Sequence, residues 1–368
     1  MRALVWKGIN ELGVETVKDP TLLNPHDAII KVKLSSVCGS DLHLLDGYVP
    51  SIHNGDIIGH EFIGEVVETG PQVRGLKRGD RVVVGSVIGC GECYYCRHDA
   101  WSLCDNSNPH AWMADAAFGY SGAGIFGYSH AFGGYAGSHA EYIRVPYADK
   151  GAFPAPEGIS DEQLLFCSDA FPTGYMAADM CGDLAGKVVA IWGCGGVGQM
   201  AIRSAWLLGA ARVVAIDRIP GRLAMAQNLG QAEVINYEET DVLEALKEMT
   251  AGRGPDCCID AVGMEPAVLR QAIMACGKGG IVAVAGVYAG VVNKFPMGAV
   301  MNKGLTLRSG QAHAQKYIPR LLEHILKGDA DPSFLLTHRW PLEQGPEGYK
   351  MFKEKSDHCM RVAFDPAR

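Results

Sequence analysis

Four cysteines at Cys90-x2-Cys93-x2-Cys96-x7-Cys104 constrain this chain more than any other stretch of it. So many thiols in one short lobe must pair with each other or close around a shared partner. Separated by Gly91, Glu92 and two tyrosines, they can surround one Zn²⁺ as a tetrahedron. Four protein thiolates leave no position open for a substrate, so the spacing predicts a structural zinc. The alternative is a pair of disulfides, which requires an oxidising compartment. Nothing marks the chain as secreted: MRALVWKGINELGVE has no apolar run of signal-peptide length. No apolar stretch of about 18 residues predicts a membrane span either. Most other cysteines, such as Cys257, Cys258 and Cys276, sit among apolar neighbours and read as reduced core residues of a cytoplasmic protein.

A length of 368 residues exceeds one comfortable core and points to two domains. A net charge of -8 disfavours nucleic acid and anionic membranes as partners. Up to about residue 155, short strands broken by Gly, Pro and Asp (ALVWKG, AIIKVKLSSV, FIGEVVETG, DRVVVGSV, AEYIRVP) predict an all-β, barrel-like domain. From about Ser160, GKVVAIWG, ARVVAIDR, AEVIN, PDCCIDAVG and GGIVAVAGV read as buried strands separated by helical stretches. That alternation predicts a parallel, doubly wound sheet, so the chain as a whole is α/β. The helix KYIPRLLEHILKG and the strand MRVAFDP then return to the first domain. The expected plan is a catalytic domain of residues 1–170 and 309–368, interrupted by a nucleotide-binding domain of residues 171–308.

The run VVAIWGCGGVGQMAI sets Gly193-x-Gly195-x-x-Gly198 between a strand and a helix, with Gly196 and Val197 opening that helix. Such a triplet alone is weak; in this context it predicts a dinucleotide site. Gly193 permits the tight turn, Gly195 lets a pyrophosphate approach the backbone, and Gly198 lets helix and strand pack closely. Free N–H groups at the helix start suit the phosphates. Asp217 ends the next strand, where a carboxylate accepts from the ribose hydroxyls and repels a 2′-phosphate, selecting NAD over NADP. A plain turn cap is the alternative for Asp217, and Arg218 beside it can soften the discrimination.

A second donor set is dispersed. Cys38 opens CGSDLH, His60 and Glu61 follow Gly59, and Asp169 opens DAFPTGY. Thiolate, imidazole and carboxylate are an acceptable zinc set, and three protein ligands leave a position for substrate. Separately each has a dull reading: Cys38 a small core residue, Glu61 a surface charge, Asp169 a helix N-cap. They gain weight by sharing a chain with the zinc lobe and the glycine turn.

CGSDLH, GHEFIGEV, the cysteine lobe, DAFPTGY, and GCGGVG with Asp217 together resemble the zinc-dependent medium-chain alcohol dehydrogenases over nearly the whole length. The resemblance implies a GroES-like β-barrel catalytic domain and a Rossmann NAD-binding domain. It implies two zinc ions: a catalytic one on Cys38, His60 and Asp169, with Glu61 as a transient or outer ligand, and a structural one on Cys90, Cys93, Cys96 and Cys104. Ser40 and His43 would carry the substrate proton outward, Thr173 would pack on the nicotinamide, Arg222 would lie near the adenosine ribose, and Arg361 would reach the pyrophosphate. Homodimers or homotetramers are implied by the same family.

Within the family, residues 123–149, DAFPTGY and SGQAHAQKYIPRLLEHI resemble the formaldehyde dehydrogenase-like branch. The segment between Val287 and Gln311 is too short for the insertion with which formaldehyde dismutases retain NAD, so exchangeable NAD is expected. Tyr48, Phe126, Tyr128 and Phe132 either line a substrate pocket or pack the β domain. No basic cluster marks a glutathione site, so primary alcohols and aldehydes come first. Polyol or threonine oxidation, and a catalytically silent nucleotide-binding relative, are the alternatives.

Overall fold

A computed structural model describes residues 1–288 and 290–368, which divide into two units, Met1–Pro172 with Ala312–Arg368, and Thr173–Gln311. The first unit is organised by a seven-stranded sheet. Its spatial order is Leu336–Pro341, Arg361–Asp365, Ala28–Ser36, Glu61–Thr69, Arg81–Val84, Ala152–Pro154, with Tyr142–Val145 also paired to Ala28–Ser36. Pairing is antiparallel except between the first two strands. Alternation along these strands buries Ile30, Val32, Phe62, Val66, Val82 and Val84 on one face. A slip of one residue would turn that set outward, so the apolar pattern fixes the register. Phe126 belongs to this core, edge-on to Phe62 with centroids 5.6 Å apart, and does not line a pocket.

That register brings three strand ends together. Ser36 pairs with Glu61 on one side and Ala363 on the other. Cys38 therefore leaves the sheet beside His60, with Arg361 alongside. Arg361 corrects an expectation: it does not reach outward to a pyrophosphate. Only 2% exposed, it turns inward, donates from Nη1 to the Val37 carbonyl, and lies 3.7 Å from Glu61 Oε2. A fully buried Glu61 carboxylate needs a counter-charge, and the arginine on the neighbouring strand end supplies it. Glu61 is likewise not a surface charge, since Oε1 accepts from the Ala170 amide at 2.8 Å.

A buried histidine braces the same corner. His139 Nδ1 is 2.7 Å from Ser35 Oγ, and its Nε2 is 2.9 Å from the Tyr349 hydroxyl. Its ring lies so close to Gly59 that a Cβ there would come within 2.7 Å of it, and Gly59 has φ +96°. Only glycine combines that backbone with that approach.

The second unit is a six-stranded parallel sheet in the order Glu233–Asn236, Arg212–Asp217, Val188–Trp192, Cys257–Asp260, Ile281–Val284, Thr306–Ser309. Chain order reverses between Val188–Trp192 and Cys257–Asp260, the switch point where doubly wound sheets bind ligands. Val189, Ile191, Val213, Ala215 and Ile259 are buried between sheet and helices. The last strand was not expected: all four of its residues are exposed, and Leu307 is its one apolar side chain. Glu11–Thr16, paired with Arg2–Gly8 as a ribbon, was not expected either; its alternation is only two apolar residues long, Leu12 and Val14, which pack against the core of the first unit.

Two outcomes test this corner. Arg361→Leu should lower unfolding stability in urea by about 3–5 kcal/mol, because it strands a buried carboxylate. Adding Glu61→Gln should recover part of that loss, whereas an unchanged midpoint in the single variant would refute the inward pair. Burial pushes the His139 imidazole down to about 4. The unfolded chain takes up that proton below about 6.5, so this stability is complete above pH 6.5 and drains away as pH falls towards 4. The loss is about 3 kcal/mol at 1.36 kcal/mol per unit, and His139→Gln should flatten the stability–pH curve by that amount. Parallel curves would show that folding does not resist the proton.

Candidate functional site

Cys38 follows the Ala28–Ser36 strand and begins a turn whose hydrogen bonds fix it. Its amide donates to Asp41 Oδ2 at 2.8 Å, and the Asp41 amide donates back to the Cys38 carbonyl at 3.2 Å. The short helix Asp41–Leu45 follows. Asp41 is fully buried, and its other oxygen lies 3.1 Å from His60 Nδ1. With Nδ1 facing a carboxylate, Nε2 of His60 is the nitrogen left to act as a ligand. Asp41 carries no role in the sequence reading; its place three residues after Cys38, where an Asp side chain folds back on the backbone, was the available signal.

Asp169 is placed by its neighbours. Ser168 Oγ donates to the Val84 carbonyl at 2.5 Å and accepts from the Phe62 amide at 2.9 Å, tying residue 168 to two strands. The Ala170 amide is held by Glu61. Asp169 is thereby aimed inward: Oδ1 accepts from Ser86 Oγ at 2.9 Å, and Oδ2 lies 3.3 Å from Cys38 Sγ and 3.6 Å from His60 Nε2. Its carboxylate faces those partners and not a helix start.

Cys38, His60 and Asp169 each offer one ligand atom within 4.8 Å of the others, and all three are buried. Zinc bonds of about 2.0–2.3 Å put tetrahedral ligand atoms about 3.3–3.8 Å apart, so the measured separations fit. Ser40 Oγ stands at the rim, 3.3 Å from His60 Nε2 and 3.4 Å from Cys38 Sγ. Burial alone would raise the Asp169 carboxyl, but the nearby His60, a hydrogen bond from Ser86 and the charge of Arg361 bring it to about 2. Burial, reinforced by the Asp169 charge and opposed by Arg361, pushes Glu61 up to about 7. Its Oε2 makes no hydrogen bond despite complete burial. Burial also lowers the His43 imidazole, although Asp41 and Asp46 pull the other way.

Among the expected pocket aromatics, Tyr48 is 62% exposed. Tyr128 is buried with Leu44 and Val49 and lies edge-on to Phe132, centroids 5.4 Å apart. Burial raises its hydroxyl, with smaller effects from the charges of His60, Asp41 and Cys38.

The cysteine quartet converges as one group, all four sulfurs within 4.8 Å of one another. No disulfide forms among the described residues. Amides of Glu92 and Cys93 point at Cys90 Sγ, at 3.4 and 3.3 Å, and the Cys90 amide points at Cys104 Sγ at 3.3 Å. Burial would raise the Cys93 thiol, but N–H groups of Cys96 and Asp105 bring it down to about 7. Donors aimed at Cys93 favour its thiolate, while burial pushes the Cys96 and Cys104 thiols up.

In the second unit, Gly193 turns the chain out of Val188–Trp192 with φ +88°, and Gly196–Leu207 begins at once. A Cβ on Gly198 would lie 1.7 Å from the Gly193 carbonyl, whereas one on Gly195 would meet only Arg222 Nη1 at 3.6 Å. Gly198 is therefore bare for packing, and Gly195 leaves its approach clear with Arg222 beside it. Asp217 serves the turn: Oδ2 accepts from the Cys194 amide, and Oδ1 from those of Arg218 and Ile219. A carboxylate has about four lone-pair sites, so capacity remains for sugar hydroxyls. Arg218 points to Glu238, 3.2 Å away at the exposed surface. Thr173 lies on Ala170–Asp179, and at Gly174 that helix packs against Met200 and Ala201 of the glycine-turn helix.

Comparison with known proteins agrees with both units. Residues 24–157 match the alcohol dehydrogenase GroES-like domain, and residues 196–327 match the zinc-binding dehydrogenase domain. The uncharacterized zinc-type alcohol dehydrogenase-like protein AdhB of Bacillus subtilis is 38% identical over 100% of both chains. The glutathione-independent formaldehyde dehydrogenase of the same organism is 32% identical over 99% of this chain and 97% of its own. The solved alcohol dehydrogenase TADH from Thermus sp. ATN1 superposes with a TM-score of 0.91 at 35% identity, covering 99% of each chain. A mixed donor set behind a carboxylate, a cysteine quartet and a dinucleotide turn thus occur in a chain that belongs to the zinc-dependent medium-chain alcohol dehydrogenase family.

Proposed function

We propose that the protein interconverts small primary alcohols and aldehydes with exchangeable NAD, using a catalytic zinc on Cys38, His60 and Asp169. The convergence of those three buried side chains, with Asp41 behind His60, carries this reading. Zinc held there would supply Lewis acidity to an alcohol oxygen, and NAD a hydride acceptor. The residues do the rest. Asp41 fixes the imidazole, and Ser86 and Ser168 fix the carboxylate. Ser40 is the hydroxyl that takes the departing proton. His43 follows on the same turn, its imidazole pushed down by burial and its Nδ1 without a hydrogen bond, and passes that proton towards solvent.

Glu61 stands behind the donors and steadies them through Arg361. Tyr128, Leu44 and Val49 pack as an apolar cluster beside the short helix that carries His43. Asp217 favours NAD, with Arg218 occupied by Glu238. Between Ile281–Val284 and Thr306–Ser309 the described chain holds one short helix, Met297–Lys303, which supports a dehydrogenase with exchangeable cofactor over a dismutase. A second, structural zinc on the quartet, a cytoplasmic setting for the reduced thiols, and a homo-oligomer extending the exposed Thr306–Ser309 edge belong to the same reading.

A screen of small alcohols, aldehydes with and without glutathione, polyols and threonine, followed by NADH absorbance, tests the activity. Short primary alcohols should react fastest, and no turnover of any of them would refute it. Two zinc ions per chain should survive dialysis; Cys38→Ser should retain one, abolish turnover and leave NAD binding within about twofold. The glycine turn makes a separate forecast. Gly195→Ala should fold normally yet weaken NAD binding by at least about tenfold, or 1.4 kcal/mol, while Gly198→Ala should lower the melting temperature first. Equal effects of the two on melting would contradict the geometry.

A further inference from the structure

Three of the chain's 12 histidines gather in one surface patch of the first unit, outside both donor sets described above. His53 and Asp56 lie on the loop that leads to Gly59, and His130 starts a short 3₁₀ turn far along the sequence. One ligand atom from each of His53, Asp56 and His130 lies within 4.8 Å of the others. His130 Nε2 is 3.2 Å from Asp56 Oδ2 and 3.3 Å from Oδ1. The His53 and His130 rings approach with centroids 4.1 Å apart. Behind them, the His110 ring stacks on His130 at 5.8 Å and 21°, and its Nδ1 is buried without a hydrogen bond.

A single Asp–His ion pair explains only part of this. The His53 amide already donates to Asp56 Oδ2 at 2.7 Å, which orients the carboxylate. A second imidazole nevertheless approaches the first, and two protonated rings at that distance would repel. Neutral imidazoles sharing a cation with a carboxylate have no such conflict. The 3.2–3.3 Å separation is also the edge of a tetrahedron with zinc–ligand bonds of about 2.0–2.1 Å.

We propose that His53, Asp56 and His130 form a third metal site, taking a divalent transition cation of the zinc class. Two imidazoles and a carboxylate select such ions over calcium or magnesium, which prefer all-oxygen shells. Three protein donors leave the remaining positions to water. The site is partly exposed and lacks thiolates, so its cation exchanges more readily than those of the buried sets. Binding there ties the residue 51–57 loop to the segment around residue 130, already joined by the His130 amide donating to the Ser51 carbonyl at 2.7 Å. Ile52 and Phe132 from these two segments pack on Leu44, Val49 and Tyr128, so the clamp stiffens that apolar cluster.

Protein carrying its tightly held zinc would be dialysed and titrated with Zn²⁺, and separately with Co²⁺, by calorimetry and absorbance. One further equivalent should bind, and the melting temperature should rise by several degrees. The added Co²⁺ should show ligand-field bands without the intense sulfur-to-metal absorption that a cysteine site gives. His130→Asn and His53→Ala should each weaken uptake at least tenfold and erase the thermal shift, while retaining the dialysis-resistant zinc and alcohol turnover without added metal. His53 sits on an exposed loop, so its variant decides the matter should His130→Asn fail to fold. No third equivalent in the wild type, or wild-type affinity in both variants, would overturn the site and leave a simple ion pair.

Discussion

The candidate active site depends on one sheet register. Pairing Ser36 with both Glu61 and Ala363 brings the ends of three strands to a single point. Cys38, His60, Glu61 and Arg361 come from three distant parts of the sequence, yet each lies within two residues of that point along its own strand. The register is fixed elsewhere, by the apolar alternation of Ile30, Val32, Phe62, Val66 and Val82. Packing thus positions the candidate donors to within a residue. Asp169 is added from outside the sheet, stapled by Ser168 to Glu61–Thr69 and to the neighbouring Arg81–Val84.

That assembly concentrates charge where water cannot reach it. Asp41, Glu61, Asp169 and the Cys38 thiol share one buried corner with a single permanent cation, Arg361. Burying unpaired carboxylates costs several kcal/mol each, and the corner responds in two ways. Glu61 is pushed up to about 7 and can hold a proton. His60, which burial would lower, is instead held well above its ordinary value by Asp41, Cys38 and Asp169. A divalent ion on Cys38, His60 and Asp169 would relieve the same imbalance without either proton. The geometry accepts that ion and the electrostatics favour it.

Much of this was legible in the sequence because the signals are local. The glycine triplet sits between a strand and a helix, and the quartet's spacing is short, so neighbouring residues carry the inference. What escaped depends on long-range contact. Arg361 reads as a candidate phosphate ligand until the closing strand is seen to lie against Val37 and Glu61. Asp41 was visible inside CGSDLH, but its contact with His60 follows only from the meeting of two strand ends. His139 and Tyr349, which brace the corner, are 210 positions apart. Phe126 sat in an aromatic run that suggested a pocket, and its contact with Phe62 places it in the core. The Thr306–Ser309 edge and the Glu11–Thr16 ribbon each offer only two alternating apolar residues, Leu305 with Leu307 and Leu12 with Val14, too short a run to stand out.

The three donor sets also differ in how burial and donor chemistry should divide their roles. The quartet supplies four soft donors with amides aimed at sulfur, a shell that is complete without water. The Cys38 set mixes three donor types and is buried, so under the proposed function a metal there would have three protein ligands and room for a reactant. His53, Asp56 and His130 offer fewer and harder donors near solvent, where water competes for the ion and protons compete for the ligands. Retention should therefore fall from thiolate shell to mixed shell to surface shell. Residence and reactivity are then set by the same two variables: how many coordination positions the protein fills, and how far it excludes water from the rest.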